Sequence, residues 1–349
     1  MKKMCRRVSL FLAILMMAAS LGACGSNAPG AGNSNAAGSS GSPAKPSDPP
    51  GEKRITVGLA VNALDVFQTE WRDIFVEVCG EKGIDVIQTN ADGKVDKQLS
   101  DVEALIERKP DVIVIKAVDS QGSVPAFEAC EAAGIPTIAS DLLVDGYDNT
   151  LKLGSDQHVL GLMQNEWYVK KLDADPNFKL KMGYIWGSQG MSTTYDRYQG
   201  FLDGLVNAYP GRVEVLAEKV CNWSATEAMA VTEDWLQAFP EMNAILSQSD
   251  EMALGCVNTL TAANADFDNF YICAYDGSPE ARQALREGKM KATVYTHKRS
   301  AVEVTVEHAL RAAGGENLAG QFVDYTRDVA VVMDADNLNE MMTRFGITD

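Results

Sequence analysis

The sequence has little of what common catalytic motifs are built from. Three histidines stand at 158, 297 and 308, and none has the spacing of a metal site. His-Glu-x-x-His, Gly-x-Ser-x-Gly and the P-loop are all missing. Gly187-Ser188-Gln189-Gly190 is too short for a nucleotide loop. There is no Cys-x-x-Cys, so zinc and thiol redox chemistry lack a ligand set. Asp173-Ala174-Asp175-Pro176-Asn177 starts like a calcium loop, but Phe178 stands where glycine is required and Lys179 follows it. No nucleophile–base pair can be named. The expectation is a chain without cofactor or metal, and not an enzyme.

Positive charge is also scarce. The chain carries 31 Lys and Arg against 48 Asp and Glu, a net charge of −17. A phosphate-binding surface needs the opposite sign, which argues against nucleic acid as partner. Long apolar runs are few. The longest, Val8 to Leu21, is interrupted only by Ser9 and Ser20. It is too short for a spanning helix, which needs about 20 residues. Behind Lys2, Lys3, Arg6 and Arg7, and closed by Leu21-Gly22-Ala23, it reads as a signal peptide over 1–23. Its removal takes the net charge from −17 to −21.

Gly25 to Lys53 is Gly, Ser, Ala, Asn and Pro, with almost nothing to bury. It reads as a flexible linker. The folded part is therefore expected from about Arg54 to Asp349, enough for two ordinary domains. Five cysteines fall in it, at 79, 130, 221, 256 and 273. An odd, widely spaced set in apolar patterns points to buried free thiols.

The periodicity alternates. Strands are expected at 55–61, 84–88, 111–116 and 135–140, with helices at 66–82, 95–108 and 124–133 between them. Trp71, Ile74, Phe75 and Val78 share one face of the first helix. Asp111–Lys116 is a near-continuous apolar strand of the kind buried in a parallel sheet. The pattern then restarts with helices at 159–172, 194–208, 225–238, 251–263 and 279–287. Strands at 181–186, 212–217, 244–247, 270–274 and 290–296 accompany them. Two such blocks predict two doubly wound parallel α/β sheets. Ligands in such sheets sit at the carboxyl ends of the strands, here in a cleft between two domains.

Several strand-end segments carry a resemblance. Leu21-Gly22-Ala23-Cys24 is similar to the bacterial lipobox, in which the cysteine is lipidated. Thr137-Ile138-Ala139-Ser140-Asp141, Arg197-Tyr198-Gln199-Gly200-Phe201, Gln248-Ser249-Asp250-Glu251-Met252-Ala253-Leu254-Gly255 and Tyr275-Asp276-Gly277 follow in order. From Ile55 to about Val332 the chain resembles the sugar-binding proteins of bacterial ABC importers. These are type 1 periplasmic binding proteins, such as those for ribose, xylose and galactose. Lac-repressor-like regulators share the fold but open with a DNA-binding helix-turn-helix; here a signal and linker stand instead.

The resemblance implies two domains, 54–156 with 297–325 and 157–296 with 326–349. Three hinge crossings near 155–158, 295–298 and 324–327 would join them. It implies a monomer, lipid-anchored through Cys24 at the outer face of the cytoplasmic membrane, that passes a neutral sugar or polyol to an ABC permease. A ligand-presenting sensor for a chemoreceptor or histidine kinase is the alternative. A carbohydrate-modifying enzyme on a similar fold is a third.

A sugar site needs planar charged groups for paired hydrogen bonds and an aromatic ring for the C–H face. The family's first-loop contacts map to Asp65, Phe67 and Gln68; Asp65 reads equally well as a helix cap. The family's binding Asp maps to Asp141, for which a loop role is the alternative. The family's following Arg is replaced by Leu142. Arg197 maps to a binding Arg, against a surface pair with Asp196 or Asp203. Trp223 either stacks on the sugar or packs at the hinge. Ser249 maps to a binding Asn, with Asp250 expected as the cap of the next helix. Tyr275, Asp276 and Thr296 complete the set. Tyr295, Asn90, Gln121 and Gln189 are weaker candidates. Asp65, Asp141 and Asp276 against one Arg disfavour an anionic ligand.

Overall fold

The computed structural model describes residues 54–141 and 144–348. The expected signal peptide, Cys24 and linker lie outside the described residues, as does Leu142.

Two six-stranded sheets organise the chain. The first holds β1 (Thr56–Val61), β2 (Asp85–Asn90), β3 (Val112–Ile115), β4 (Thr137–Ser140), β5 (Leu151–Gly154) and β11 (Phe322–Asp324). The second holds β6 (Leu180–Trp186), β7 (Val213–Val220), β8 (Ala244–Ser247), β9 (Tyr271–Asp276), β10 (Ala292–Thr296) and β12 (Ala330–Asp334). Strand orders are β2-β1-β3-β4-β5-β11 and β7-β6-β8-β9-β10-β12. The two orders have the same form, so the two lobes repeat one topology. All pairings are parallel except β10 with β12.

Helices cover both faces of each sheet. In the first lobe α1 (Val66–Glu81), α2 (Val95–Glu107) and α3 (Val124–Ala132) connect the strands. In the second lobe α4 (Gln157–Gln164), α5 (Glu166–Ala174), α6 (Ser192–Phe201), α7 (Ala225–Ala238), α8 (Asp250–Ala262) and α9 (Pro279–Arg286) do so. After β10 the chain returns to the first lobe as α10 (Lys298–Ala313), then closes with α11 (Thr326–Val329) and α12 (Leu338–Arg344).

The core follows from this layering. Trp71, Phe75 and Val78 of α1 meet Val302, Val306 and Ala309 of α10 on one face of the first sheet. Val102, Leu105 and Phe127 fill the other face. Fully burying one such side chain is worth about 1.5–3 kcal/mol. β3 is buried along its whole length, as its unbroken apolar run requires. All five described cysteines are free and buried.

Two expected helices differ from observation. The stretch 159–172 is broken at Asn165, whose Nδ2 donates to the carbonyl of Gly200 at 3.0 Å. The stretch 194–208 ends as α6 at Phe201 and continues as a π-helical turn, Leu202–Val206. The buried Asn165 amide thus satisfies a carbonyl where the helix ladder changes register. β5, α10, β11 and β12 lie outside the expected alternation. No helix among the described residues is long and apolar enough to cross a membrane.

Candidate ligand-binding cleft

The carboxyl ends of both sheets open onto one cavity of about 650 Å³. All ten expected site residues line it: Asp65, Phe67, Gln68, Asp141, Arg197, Trp223, Ser249, Tyr275, Asp276 and Thr296. Gln189 joins them, whereas Asn90, Gln121 and Tyr295 do not. Asn90 is tied to Asp92, and Tyr295 packs against Phe345.

From the first lobe, Asp65 caps α1 by accepting from the Gln68 N–H at 2.7 Å. It also lines the cavity, so the two readings of this residue are compatible. Burial raises its pKa, partly offset by the hydrogen bond from the Gln68 N–H. Asp141 leaves β4 at φ +65°, a backbone that L-residues adopt at a cost. Its carboxylate pairs with Lys116 and accepts from the Tyr325 hydroxyl at 2.6 Å. Lys298, at the start of α10, pairs with Glu70 at 2.6 Å and lies 4.8 Å from the centre of the Phe67 ring.

From the second lobe, Arg197 is 7 % exposed and makes no surface pair. Asp203 instead takes His158. The Arg197 Nε donates to Gln157 Oε1 and its Nη1 to the Gln248 carbonyl, each at 2.9 Å. Its guanidinium lies 3.7 Å above the Tyr275 ring. Two of five N–H donors are engaged, and the residue borders the cavity. Trp223 follows Asn222, both at positive φ. Its indole rests on Gly187, where a Cβ would come within 2.1 Å of the ring. It therefore forms part of the cavity wall within the second lobe.

The cap of α8 corrects an expectation. Ser249, not Asp250, is the N-cap, accepting from the Met252 N–H. Asp250 is the first helical residue and is turned inward at 1 % exposure. It accepts from Thr293 Oγ1 and the Ser278 N–H, each at 2.7 Å, and its own N–H reaches Asp276 Oδ2 at 3.3 Å. Burial pushes Asp250 up to about 6. Burial and then the Asp250 charge push Asp276 well above the usual carboxylate range. Asp276 sits at φ +124°. Three site residues in strained backbone, Asp141, Trp223 and Asp276, fit the tendency of strain to gather where function requires it.

The lobes also meet at the mouth. The Ser120 N–H donates to the Gly190 carbonyl at 3.0 Å, and the Ser192 N–H donates to Ser120 Oγ at 2.8 Å. Gly190 has φ +85°, and a Cβ there would lie 2.1 Å from Asp119 Oδ2.

Comparison with known families agrees with this geometry. The profile described as "Periplasmic binding protein domain" matches residues 57–317. The chain belongs to the periplasmic binding protein family. The ribose import binding protein of Bacillus subtilis is 28% identical over 252 residues, covering 72% of this chain and 79% of that one. A solute-binding protein from Bacillus halodurans with bound myo-inositol superimposes with TM-score 0.75 at 25% identity, covering 83% of this chain and 98% of that one. One from Mycobacterium smegmatis with bound glycerol gives 0.74 at 26%, covering 82% and 96%. The family consists of non-enzymatic solute-binding proteins.

Of the residues around the cleft, Lys116, Lys298, Tyr325 and Gln157 were not singled out by the sequence, and Asp250 was singled out only as a helix cap. A signal existed for Lys116, a charge directly after the apolar run Val112–Ile115. None existed for Tyr325, which reaches Asp141 from 184 positions away.

Proposed function

We propose that this periplasmic binding protein captures a neutral sugar or polyol between its lobes and delivers it to an ABC permease. The observation that carries the reading is the lining of the cavity. Carboxylates from both lobes, the partly engaged Arg197 fork and the Trp223 and Phe67 rings face one space. Its volume, about 650 Å³, lies within the range of small-molecule sites. Each carboxylate accepts from hydroxyls, the guanidinium donates to a vicinal pair, and the rings take up C–H faces. An anion is disfavoured, because carboxylates outnumber the cations Lys116, Arg197 and Lys298 along the lining. The ligands named for the relatives, ribose, myo-inositol and glycerol, are of this class.

In this reading the lobes are 54–156 with 297–325 and 157–296 with 326–349, hinged near 155–158, 295–298 and 324–327. The chain is exported, lipidated at Cys24 and held on the linker 25–53 at the outer face of the cytoplasmic membrane, as a monomer. Tethering beside the permease raises its local concentration there.

The test is a thermal-shift screen with pentoses, hexoses, inositols, linear polyols and amino sugars. Ligand at 100 times its dissociation constant adds about 2.7 kcal/mol of stability. No shift with any of them overturns the reading.

A further inference from the structure

Lys116 is a cation almost wholly enclosed at the base of the cleft, its side chain 2 % exposed. It directly follows β3 and borders the cavity. The ammonium lies 3.9 Å from the centre of the Trp71 ring and pairs with Asp141 Oδ2. An ammonium has three N–H donors. One goes to Asp141 and one side faces the Trp71 ring. Among the described residues no acceptor meets the third, and Lys116 borders the cavity.

Asp141 has the complementary surplus. A carboxylate offers about four lone-pair sites. One oxygen takes Lys116 and the other the Tyr325 hydroxyl, which leaves acceptor capacity on a residue that also lines the cavity. Donor and acceptor thus stand side by side on one ion pair. The Tyr325 contact and the left-handed backbone of Asp141 fix where that pair points. Lys116 brings this cation to Asp141 from the end of the neighbouring strand β3.

We infer that Lys116 and Asp141 together read two adjacent hydroxyls of the ligand, Lys116 donating to one oxygen and Asp141 accepting from the next. Lys116 is then a specificity-determining residue of the first lobe. A neutral ligand suits it, because the pair is already balanced and needs polar partners, not added charge. An ammonium is a single point donor, unlike a guanidinium fork, so it discriminates at one hydroxyl position. This inference rests on the reading of the cleft as a sugar or polyol site.

The experiment measures affinities by calorimetry for wild type, Lys116→Met and Lys116→Gln. The probes are D-ribose, D-allose, xylitol and myo-inositol, then every mono-deoxy analogue of whichever binds wild type most tightly. Losing one hydrogen bond to a charged donor should weaken binding of the parent ligand about 10- to 100-fold in K116M. K116Q, which keeps a neutral donor, should lose less. The decisive readout is positional. Wild type should reject the analogue lacking the Lys116-bound hydroxyl, and K116M should lose at least tenfold of that discrimination while keeping it elsewhere on the ring or chain. Unfolding midpoints of the unliganded variants separate collapse from contact, since collapse weakens all analogues equally. Equal loss for all analogues, or unchanged affinity in K116M, overturns the inference and leaves the reading of the cleft standing. Binding of none of the probes overturns that reading and the inference with it.

Discussion

Asp250→Asn removes an ionisable group whose folding cost is set by burial. The carboxylate is 1 % exposed and accepts two hydrogen bonds, from Thr293 and Ser278. These bonds do not offset its desolvation, and its pKa stands at about 6 against an ordinary 3.8. The gap of about two units, at 1.36 kcal/mol per unit, amounts to about 3 kcal/mol. Because the folded pKa is the higher one, the native protein keeps a proton that the unfolded chain gives up. Stability from this group is full below about pH 4 and is lost as pH rises through about 6. The amide of the variant keeps an acceptor and has no charge to desolvate. Wild-type and variant stabilities, measured by urea unfolding at pH 4, 5, 6 and 7, should therefore diverge. Whatever its fixed cost from an altered hydrogen bond, the variant should gain about 3 kcal/mol on wild type between pH 4 and 7. Asp276 works in the same direction, because the Asp250 charge that raises its pKa is gone. Parallel curves would refute the argument, since they would mean that Asp250 ionises as easily in the fold as in water.

Arg197→Lys should weaken binding of the ligand found in the thermal screen about 100-fold in calorimetry. A lysine loses the fork to vicinal hydroxyls and the planar stack on Tyr275; equal affinity would remove Arg197 from the ligand. Gly190→Val places a branched side chain at φ +85° against Asp119 and should break the Ser120 clasp. About tenfold faster dissociation in stopped flow, with a larger radius of gyration in solution scattering, is expected; unchanged values would show that the clasp holds nothing. Cys24→Ser should move the exported protein from the membrane to the soluble fraction on cell fractionation, and continued membrane retention would end the lipid-anchor proposal.

The legible part of this molecule was local. Apolar runs such as Val112–Ile115 announce a covered strand by themselves. A residue at the carboxyl end of such a strand is expected at the cleft, and this together with the family resemblance pointed to Asp141 after β4 and Asp276 closing β9; both line the cavity. The cap of α8 was misplaced by one residue for a related reason. Ser and Asp are both good caps, and what separates them is Asp250's attachment to Thr293 and Ser278. Those partners lie 43 and 28 positions away. The break at Asn165 is similar, since its cause is a carbonyl on another helix.

By itself, the sequence determined the class of the protein. Periodicity and composition are properties of neighbours in the chain, and they predict two parallel α/β sheets; the family resemblance of the strand-end segments implies a cleft lined with carboxylates, one arginine and aromatic rings. Tertiary structure alone decided the charge balance within that cleft. Lys116 with Asp141, Lys298 with Glu70, and Asp250 beside Asp276 join residues from separate elements. The strength of each contact, and the raised pKa of Asp250 and Asp276, depend on how deeply the packed sheets exclude water. The clasp of Ser120 on Gly190 belongs here too, because it forms only when two lobes, each built from its own stretch of chain, come together at the mouth.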